Sequence, residues 1–336
     1  MDVSIILVNY KSAQLVLNCI ESIYQQTAAH SFEIILVDND SKDNCAELVL
    51  TKYPEVRFIG LRYNAGFARA NNAGIEISKG QYILILNTDT IILDGAIDKS
   101  VMLLCNRPDA VGCGVQLLNV DYTTQISGAH IIKGGLNTLL PLPYLGRLIR
   151  WLGYQFKSTV PSVQTISNVI EVDWIVGAYI LVKSAVLKKS GLMDNDFFMY
   201  AEEIEWCGRL RKHGKLLLFG EARVIHIGGG TSSGYYSTSE IENGKNLWDK
   251  KGRQIIVSTM LRIRKQFGIF WFLFISGVYV FEIVVFFIFL FFDNIFNMGK
   301  STYKWTNFLG YSNNIGVLLS YFFRMARNKP FFYKVQ

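Results

Sequence analysis

Acid and amide side chains gather at four places in the first ninety residues, each directly after an apolar run: Asn9-Tyr10, Asp38-Asn39-Asp40-Ser41, Asn64-Ala65-Gly66-Phe67 and Asn87-Thr88-Asp89-Thr90. A carboxylate only accepts hydrogen bonds, whereas an amide both accepts and donates, so such loops can hold a polar ligand. One loop of this kind is ordinary turn or helix-cap chemistry. Four in equivalent positions describe a binding rim. A further acidic cluster, Glu202, Glu203 and Glu205, stands near the start of a stretch with helical spacing, Met199 to His213. Carboxylates there stabilise the positive end of the helix dipole, which is the plain structural account of all three. His226 closes an apolar run and is followed by Gly228-Gly229-Gly230, where bare backbone can approach a phosphate closely.

The elements that must position these residues follow from the pattern of apolar residues. Strand-length runs occupy Val3 to Val8, Glu33 to Val37, Val56 to Leu61 and Tyr82 to Leu86. Helical spacing fills the intervals at Leu15 to Tyr24, Ala46 to Tyr53 and Phe67 to Ile77. Nearly continuous apolar strands alternating with helices predict an α/β fold with a mainly parallel sheet covered on both faces. In such sheets ligands collect at the carboxyl ends of the strands, where the four polar loops fall. Ala110 to Leu117 and Ile175 to Val182 read as further strands, separated by a long irregular region rich in Gly, Pro and aromatics.

The chain has 336 residues, enough for one large domain or a domain with an appendage, and half of them are apolar. Charged residues make up 18%, below the roughly 25% of soluble domains, and mean hydropathy is +0.23. More apolar surface is present than a soluble core absorbs. The net charge of +7 suits an anionic partner, and by itself does not choose among nucleic acid, a phospholipid surface and a phosphorylated substrate. Five scattered cysteines, none in a C-x-x-C pair, argue against a disulfide framework or a zinc site and for a reducing cytoplasmic setting. The N-terminus runs straight into a strand, without the basic region and cleavage site of a signal peptide.

Between Phe267 and Phe292 only Glu282 is charged. As a helix this stretch is about 39 Å long, more than the roughly 30 Å of bilayer hydrocarbon, so membrane contact is expected. Arg262, Arg264 and Lys265 precede it, and Lys300, Lys304, Arg324, Arg327 and Lys329 follow it. A single span would put one basic flank on the wrong side of the membrane, so a helix lying in the cytoplasmic leaflet competes with a spanning one.

Two partial motifs fail. Gly299-Lys300-Ser301 ends like a phosphate-binding loop, but Asn294 stands where that loop needs glycine. Gly112 and Gly114 lack the third glycine of a dinucleotide fingerprint and do not follow the first strand. The set that coheres is VSIILVNY, IILVDNDSKDN, NAGFARANNAGI, ILNTDT, WIVGAYILVK, FFMYAEEIEWCGRLRKHG and HIGGGTS, in that order over about residues 3–232. It resembles family 2 glycosyltransferases, especially their rhamnosyltransferase-like branch.

The resemblance implies the nucleotide-diphospho-sugar transferase fold, GT-A: a Rossmann-like mixed sheet with helices on both faces, here followed by C-terminal membrane-associated helices. It implies a nucleotide-sugar-binding half over 1–110, an acceptor-binding and catalytic half of the same domain over 111–261, and a membrane-associated region over 262–336. Tyr10 and Asp38 are the expected contacts to the donor's base and ribose, with Asn64, Phe67 and Asn72 lining the donor pocket. Asn87-Thr88-Asp89 stands where the family carries its Asp-x-Asp metal motif, leaving Asp89 as the chief carboxylate beside Asn87. The implied cofactor is Mg2+ or Mn2+, which takes oxygen ligands and tolerates an imidazole, so His226 joins Asp89 and the donor diphosphate around it. Glu203 aligns with the family's Asp as the base for the acceptor hydroxyl, in an inverting transfer. Glu202 and Trp206 are the expected acceptor contacts, the sugar stacking on the indole. The longer Glu in place of Asp leaves Glu202 and Glu205 as competing bases.

The implied partners are a nucleotide-diphospho-sugar donor, with deoxythymidine diphosphate rhamnose ahead of uridine diphosphate sugars, a glycan acceptor linked to polyprenyl diphosphate, and membrane lipids; nucleic acid is not among them. The implied location is the cytoplasmic face of the plasma membrane. A catalytically weak, membrane-bound glycan-binding protein that keeps the fold is the rival from another class. A nucleotide-sugar pyrophosphorylase is a weaker one, because the glycine-rich, arginine-containing loop it needs after Val8 is missing.

Overall fold

The computed structural model describes residues 1–156, 161–228, 246–296 and 301–329. Gly229 and Gly230 of the glycine run after His226, and Gly299 and Lys300 of the failed phosphate loop, lie outside the described residues. The chain divides into two units: Met1–His130 with Ser162–Phe198 and Glu202–Ser237, and Ile131–Pro161 with Met199–Ala201 and Thr238–Gln336.

The first unit is built on a nine-stranded mixed sheet. Its strands are β1 (Val3–Asn9), β2 (Phe32–Asp38), β3 (Arg57–Gly60), β4 (Tyr82–Leu86), β5 (Thr90–Leu93) and β6 (Ala110–Leu118). Two short strands, β7 (Gly128–Ala129) and β8 (Ser162–Val163), join β10 (Trp174–Ile175) in a separate small sheet. β9 (Val169–Val172), β11 (Tyr179–Lys183) and β12 (Lys215–His226) complete the main one. The order is β3-β2-β1-β4-β11-β6-β12-β5, with β9 paired to β12. The four N-terminal strands are parallel neighbours, β11 runs antiparallel to β4, and β5 antiparallel to β12. The parallel block carries the four polar loops at one edge, as the apolar runs predict.

Side chains alternate across the sheet and both faces are covered. Ile5 and Leu7 enter one core with α1 (Ala13–Gln26), α2 (Cys45–Lys52) and α4 (Ala96–Cys105). Ile6 enters the other with α3 (Gly66–Glu76), α6 (Ser184–Ser190) and α7 (Glu202–Leu210). Two expected elements differ. The run Ile175 to Val182 is interrupted at residues 176–178, between β10 and β11. The helix expected from Met199 begins at Glu202, after Tyr200 and Ala201 adopt φ of 71° and 66°, a left-handed conformation that no helix continues.

The second unit has its own apolar core, drawn from α5 (Leu145–Gln155) with the turn before it, α8 (Lys250–Phe267), α9 (Ile269–Phe296) and α10 (Trp305–Ala326). Gly268, at φ 87°, breaks the continuous helical pattern between α8 and α9. By length and composition α9 is the one described helix able to cross a membrane, and only a third of its most apolar window is buried. Residues 131–161, read from sequence only as irregular, belong to this unit.

Candidate functional site

At the exit of β1, Asn9 is fully buried and organises two loops. Its amide nitrogen donates to Asp38 Oδ1 at 2.8 Å and to Ser41 Oγ at 2.9 Å, while its Oδ1 accepts from the Ser12 amide and hydroxyl. Asp38, half-buried at the end of β2, also accepts from the Ser41 amide at 3.2 Å. Tyr10, next to Asn9 in sequence, is half-buried, with the Lys11 ammonium 5.4 Å from its ring. Ser12 reaches Thr88 across 3.3 Å, tying the first polar loop to the fourth. Asn39 does the same for the third: it donates to Asn64 Oδ1 at 2.9 Å and accepts from the Ala65 amide at 2.8 Å. The four loops of the sequence pattern are thus one hydrogen-bonded rim. Asn9, Asn39 and Ser12 are its joints, a role that turn chemistry alone did not single out.

Gly66 opens α3 at φ +81°, and a Cβ there would stand 2.2 Å from the Phe198 carbonyl oxygen, so no other residue fits. The Phe67 amide donates to that same carbonyl at 2.8 Å. Asn72 is 5% exposed; its amide nitrogen donates to Met193 O and Asn195 Oδ1, and its Oδ1 accepts from the Met193 amide. Its side chain therefore fastens the 193–195 segment to α3. Cys19, under the Asn87 turn, has its thiol pushed up to about 12 by burial, which makes it a packing group and no nucleophile.

The three acids of α7 have separate fates. Glu205, 5% exposed, is held by Arg209 one turn on, with Nε–Oε1 at 2.8 Å and Nη2–Oε2 at 2.8 Å. Arg209 also donates to the Ser190 carbonyl. Glu202 is 3% exposed, and Glu203 alone is half-buried. A Cβ on Gly177 would lie 3.7 Å from Phe67 Cζ and 3.8 Å from Glu203 Cγ, so this bare backbone faces both side chains. The expected stacking surface is corrected: the Trp206 indole has no exposed area and donates from Nε1 to the Gly191 carbonyl at 3.1 Å. The ring is a core group that no sugar can reach.

Asp89 and His226, far apart in the chain, are brought together by strand register. β5 and β12 pair with His226 opposite Thr90, and the Ile227 amide donates to the Asp89 carbonyl at 2.9 Å. Asp89 Oδ1 then lies 3.5 Å from His226 Nε2. A residue not singled out in the sequence completes the arrangement. Gln125 donates from its amide nitrogen to the Asn119 side chain and to the His226 carbonyl, both at 2.6 Å. Its Oε1 therefore faces His226 Nδ1, at 3.0 Å. An amide oxygen can only accept, so Nδ1 carries a proton and Nε2 is the ring nitrogen turned toward Asp89. A carboxylate oxygen and an imidazole nitrogen this close share either a proton or a cation. A carboxylate oxygen and an imidazole nitrogen are donors that Mg2+ or Mn2+ would accept. Asp89 and His226 thus fit a small divalent ion, with Gln125 orienting the histidine as outer-shell groups do. Among the described residues no group of three or more His, Cys, Asp or Glu is placed to hold a metal ion.

Comparison with known proteins places the chain. It resembles in fold the crystal structure of GalNAc-T7 with UDP, GalNAc and Mn2+, at a TM-score of 0.51 and 13% identity over 78% of this chain and 48% of that one. The fold is GT-A, that of the nucleotide-diphospho-sugar transferases. Residues 4–159 match Glycosyl transferase family 2, so the chain carries a domain of that family. A similar curated protein is the N-acetylglucosaminyl-diphospho-decaprenol L-rhamnosyltransferase of Mycobacterium tuberculosis, 26% identical over 57% of this chain and 66% of its own. The low-salt glycan biosynthesis hexosyltransferase Agl10 of Haloferax volcanii is 26% identical over 67% of this chain and 66% of its own. In both cases the match spans just under two thirds of the relative's length.

Proposed function

We propose that the chain is a metal-dependent, inverting glycosyltransferase that moves a sugar from a nucleotide-diphospho-sugar to a lipid-linked glycan acceptor at the cytoplasmic face of the plasma membrane, in cell-surface polysaccharide synthesis. The observation that carries this reading is the facing pair Asp89 and His226, its imidazole oriented by Gln125, on a GT-A rim. The names of the two curated relatives support a sugar transfer, one of them to a diphospho-polyprenol and with rhamnose.

In this reading Tyr10 and Asp38 receive the base and ribose, while Asn64, Phe67 and Asn87 border the diphospho-sugar. Asn72 contributes by holding the 193–195 segment against α3. Asp89 and His226 would hold Mg2+ or Mn2+, which supplies charge neutralisation as the nucleotide diphosphate departs. Glu203 accepts the proton of the acceptor hydroxyl as its oxygen bonds to the anomeric carbon; the bond from that carbon to the diphosphate breaks, and the nucleotide diphosphate leaves with the electron pair. One displacement inverts the anomeric centre. Glu205 is already paired to Arg209, and Glu202, the other expected acceptor contact, is buried.

The test is a screen of nucleotide sugars with purified protein and Mn2+ or Mg2+, scored by nucleoside diphosphate release. One donor should be turned over, chelator should stop it, and Asp89→Ala and His226→Ala should each lose about a hundredfold or more. Undiminished turnover by both variants in chelator would falsify the metal reading.

A further inference from the structure

We propose that the second unit is monotopic: α9 lies along a single anionic leaflet as part of a helical layer and does not cross the bilayer. The inference rests on the membrane attachment proposed above and settles its geometry from the way α9 is packed.

Three helices are aligned along one axis. Ser276 of α9 contacts Met260 of α8 across the Gly268 turn, so those two run antiparallel. Phe272 packs on Phe322 and Phe287 on Phe308, so α10 is antiparallel to α9 as well. Arg253 Nε bonds Asn314 Oδ1 and Arg264 Nε bonds the Ala326 carbonyl, which sets α8 beside α10 along most of its length. Whatever tilt α9 takes in a membrane, α8 takes too. Yet α8 carries six basic residues in eighteen, from Lys250 to Lys265, and has no face that could meet lipid along its length. An upright α9 would carry these charges through the hydrocarbon.

The segment before α5 leads to the same conclusion from the opposite side. Glu282, with no exposed area, stands at the middle of α9 and accepts from the Tyr144 and Leu145 amides, at 2.7 and 3.1 Å. It holds the first turn of α5 there. Arg147, one turn further on, lies 5.1 Å from the Tyr303 ring, which packs on Phe286. At about 1.5 Å per residue, Phe286 is only about 6 Å along the axis from the midpoint Glu282. In an upright α9 this guanidinium would sit near the bilayer centre, where such charges are rare and face protein or water.

A flat placement removes both conflicts. The exposed residues of α9, among them Phe270, Phe274, Phe281, Val284, Ile288 and Phe291, recur every three, four or seven positions and form one stripe along its length, opposite the face that buries Phe272, Tyr279 and Glu282. One stripe facing acyl chains, with basic groups beside it, is the pattern of a helix bound in the membrane interface. α5 adds exposed Leu148, Trp151 and Phe156 beside Arg147 and Arg150, a mixture of aromatic and basic groups suited to the headgroup boundary. The basic groups name the occupant as an anionic lipid surface.

The experiment places single cysteines at the two ends of α9 in the full-length Cys105→Ser background, since Cys105 is exposed and the other four native thiols are buried. Thr302→Cys reports the end after α9; Lys329→Cys, just past α10, reports the end near Gly268; both side chains are exposed. Sealed membrane vesicles of each orientation are treated with a membrane-impermeant maleimide, with detergent-opened vesicles giving full labelling. Labelling of both positions from the same side, and loss of both signals in the opposite vesicles, is the expected result. Labelling from opposite sides overturns the monotopic placement and leaves membrane attachment standing. Recovery of the protein without detergent as a soluble dimer would overturn attachment itself and assign the stripe to a second copy.

Discussion

Two helices in this molecule each bury a carboxylate, and they satisfy it in opposite ways. On α7, Glu205 is met by Arg209 four residues later in the same helix. On α9, Glu282 is met by two backbone amides from residues 144 and 145, more than a hundred positions earlier. The first arrangement is local, and the i, i+4 spacing predicts it. The second exists only because a distant segment folds back, and it leaves no periodic trace. The comparison separates an acid that stabilises its own helix from one that fixes where another begins. It also isolates Glu203, the least buried acid of the α7 cluster, as the one available for chemistry.

The largest effect that could break this division is kinetic. Glu203→Gln should reduce turnover by about a hundredfold to ten-thousandfold, the range of a lost general base, with nucleotide affinity and thermal midpoint near those of the wild type. Glu205→Gln should do the reverse, lowering stability by about 2 kcal/mol while sparing turnover of the folded fraction, because it removes a charge-assisted pair. Side-by-side kinetics and melting of the two variants decide the matter. If Glu205→Gln were the slow enzyme and Glu203→Gln the unstable one, the roles would be exchanged.

How far such roles can be read from sequence depends on the range of the contacts that create them. The sheet was legible because apolar strands buried on both faces leave unbroken runs: Tyr82–Leu86 has the expected bounds, and β1 and β2 differ by a residue or two. The rim was legible because polar loops recur at the strand exits. The burial of Trp206 was not legible because a residue's place in a motif says nothing about what covers its side chain. Gln125 was invisible because it sits in an irregular segment, and only the pairing of β12 with β6 brings His226 to it. The membership of residues 131–161 in the helical unit was hidden for the same reason: its signal lies in Glu282, whose partners are remote.

Gln125 offers an intermediate effect that sharpens the contrast between local and distant support. Gln125→Leu removes the acceptor for His226 Nδ1–H and frees the ring to adopt the other tautomer, so Mn2+ affinity in the presence of nucleoside diphosphate should weaken about 10–100-fold. The readout is the free Mn2+ signal in electron paramagnetic resonance, which needs no turnover. Unchanged affinity would mean that the histidine is oriented by the strand alone.

The smallest expected effect concerns Glu282. In Glu282→Gln the shape is kept, but one carboxylate oxygen becomes an NH2 group, which cannot accept from the Tyr144 or Leu145 amide and faces it as a second donor. One of the two hydrogen bonds at the start of α5 is lost and the other is no longer charge-assisted. A loss of about 1–2 kcal/mol follows, net of the lower cost of burying a neutral group. The place where it is felt tests the argument better than its size. If Glu282 fixes where α5 begins, proteolysis in detergent should open first around residues 140–150, while donor turnover stays near the wild-type level. If Glu282 merely fills space on α9, Gln is an isosteric replacement, and both the melting midpoint and the cleavage pattern should be unchanged. An increase in stability would show that the buried charge costs more than its two hydrogen bonds return, and the acid would then be a liability of the apolar helix instead of the support of α5.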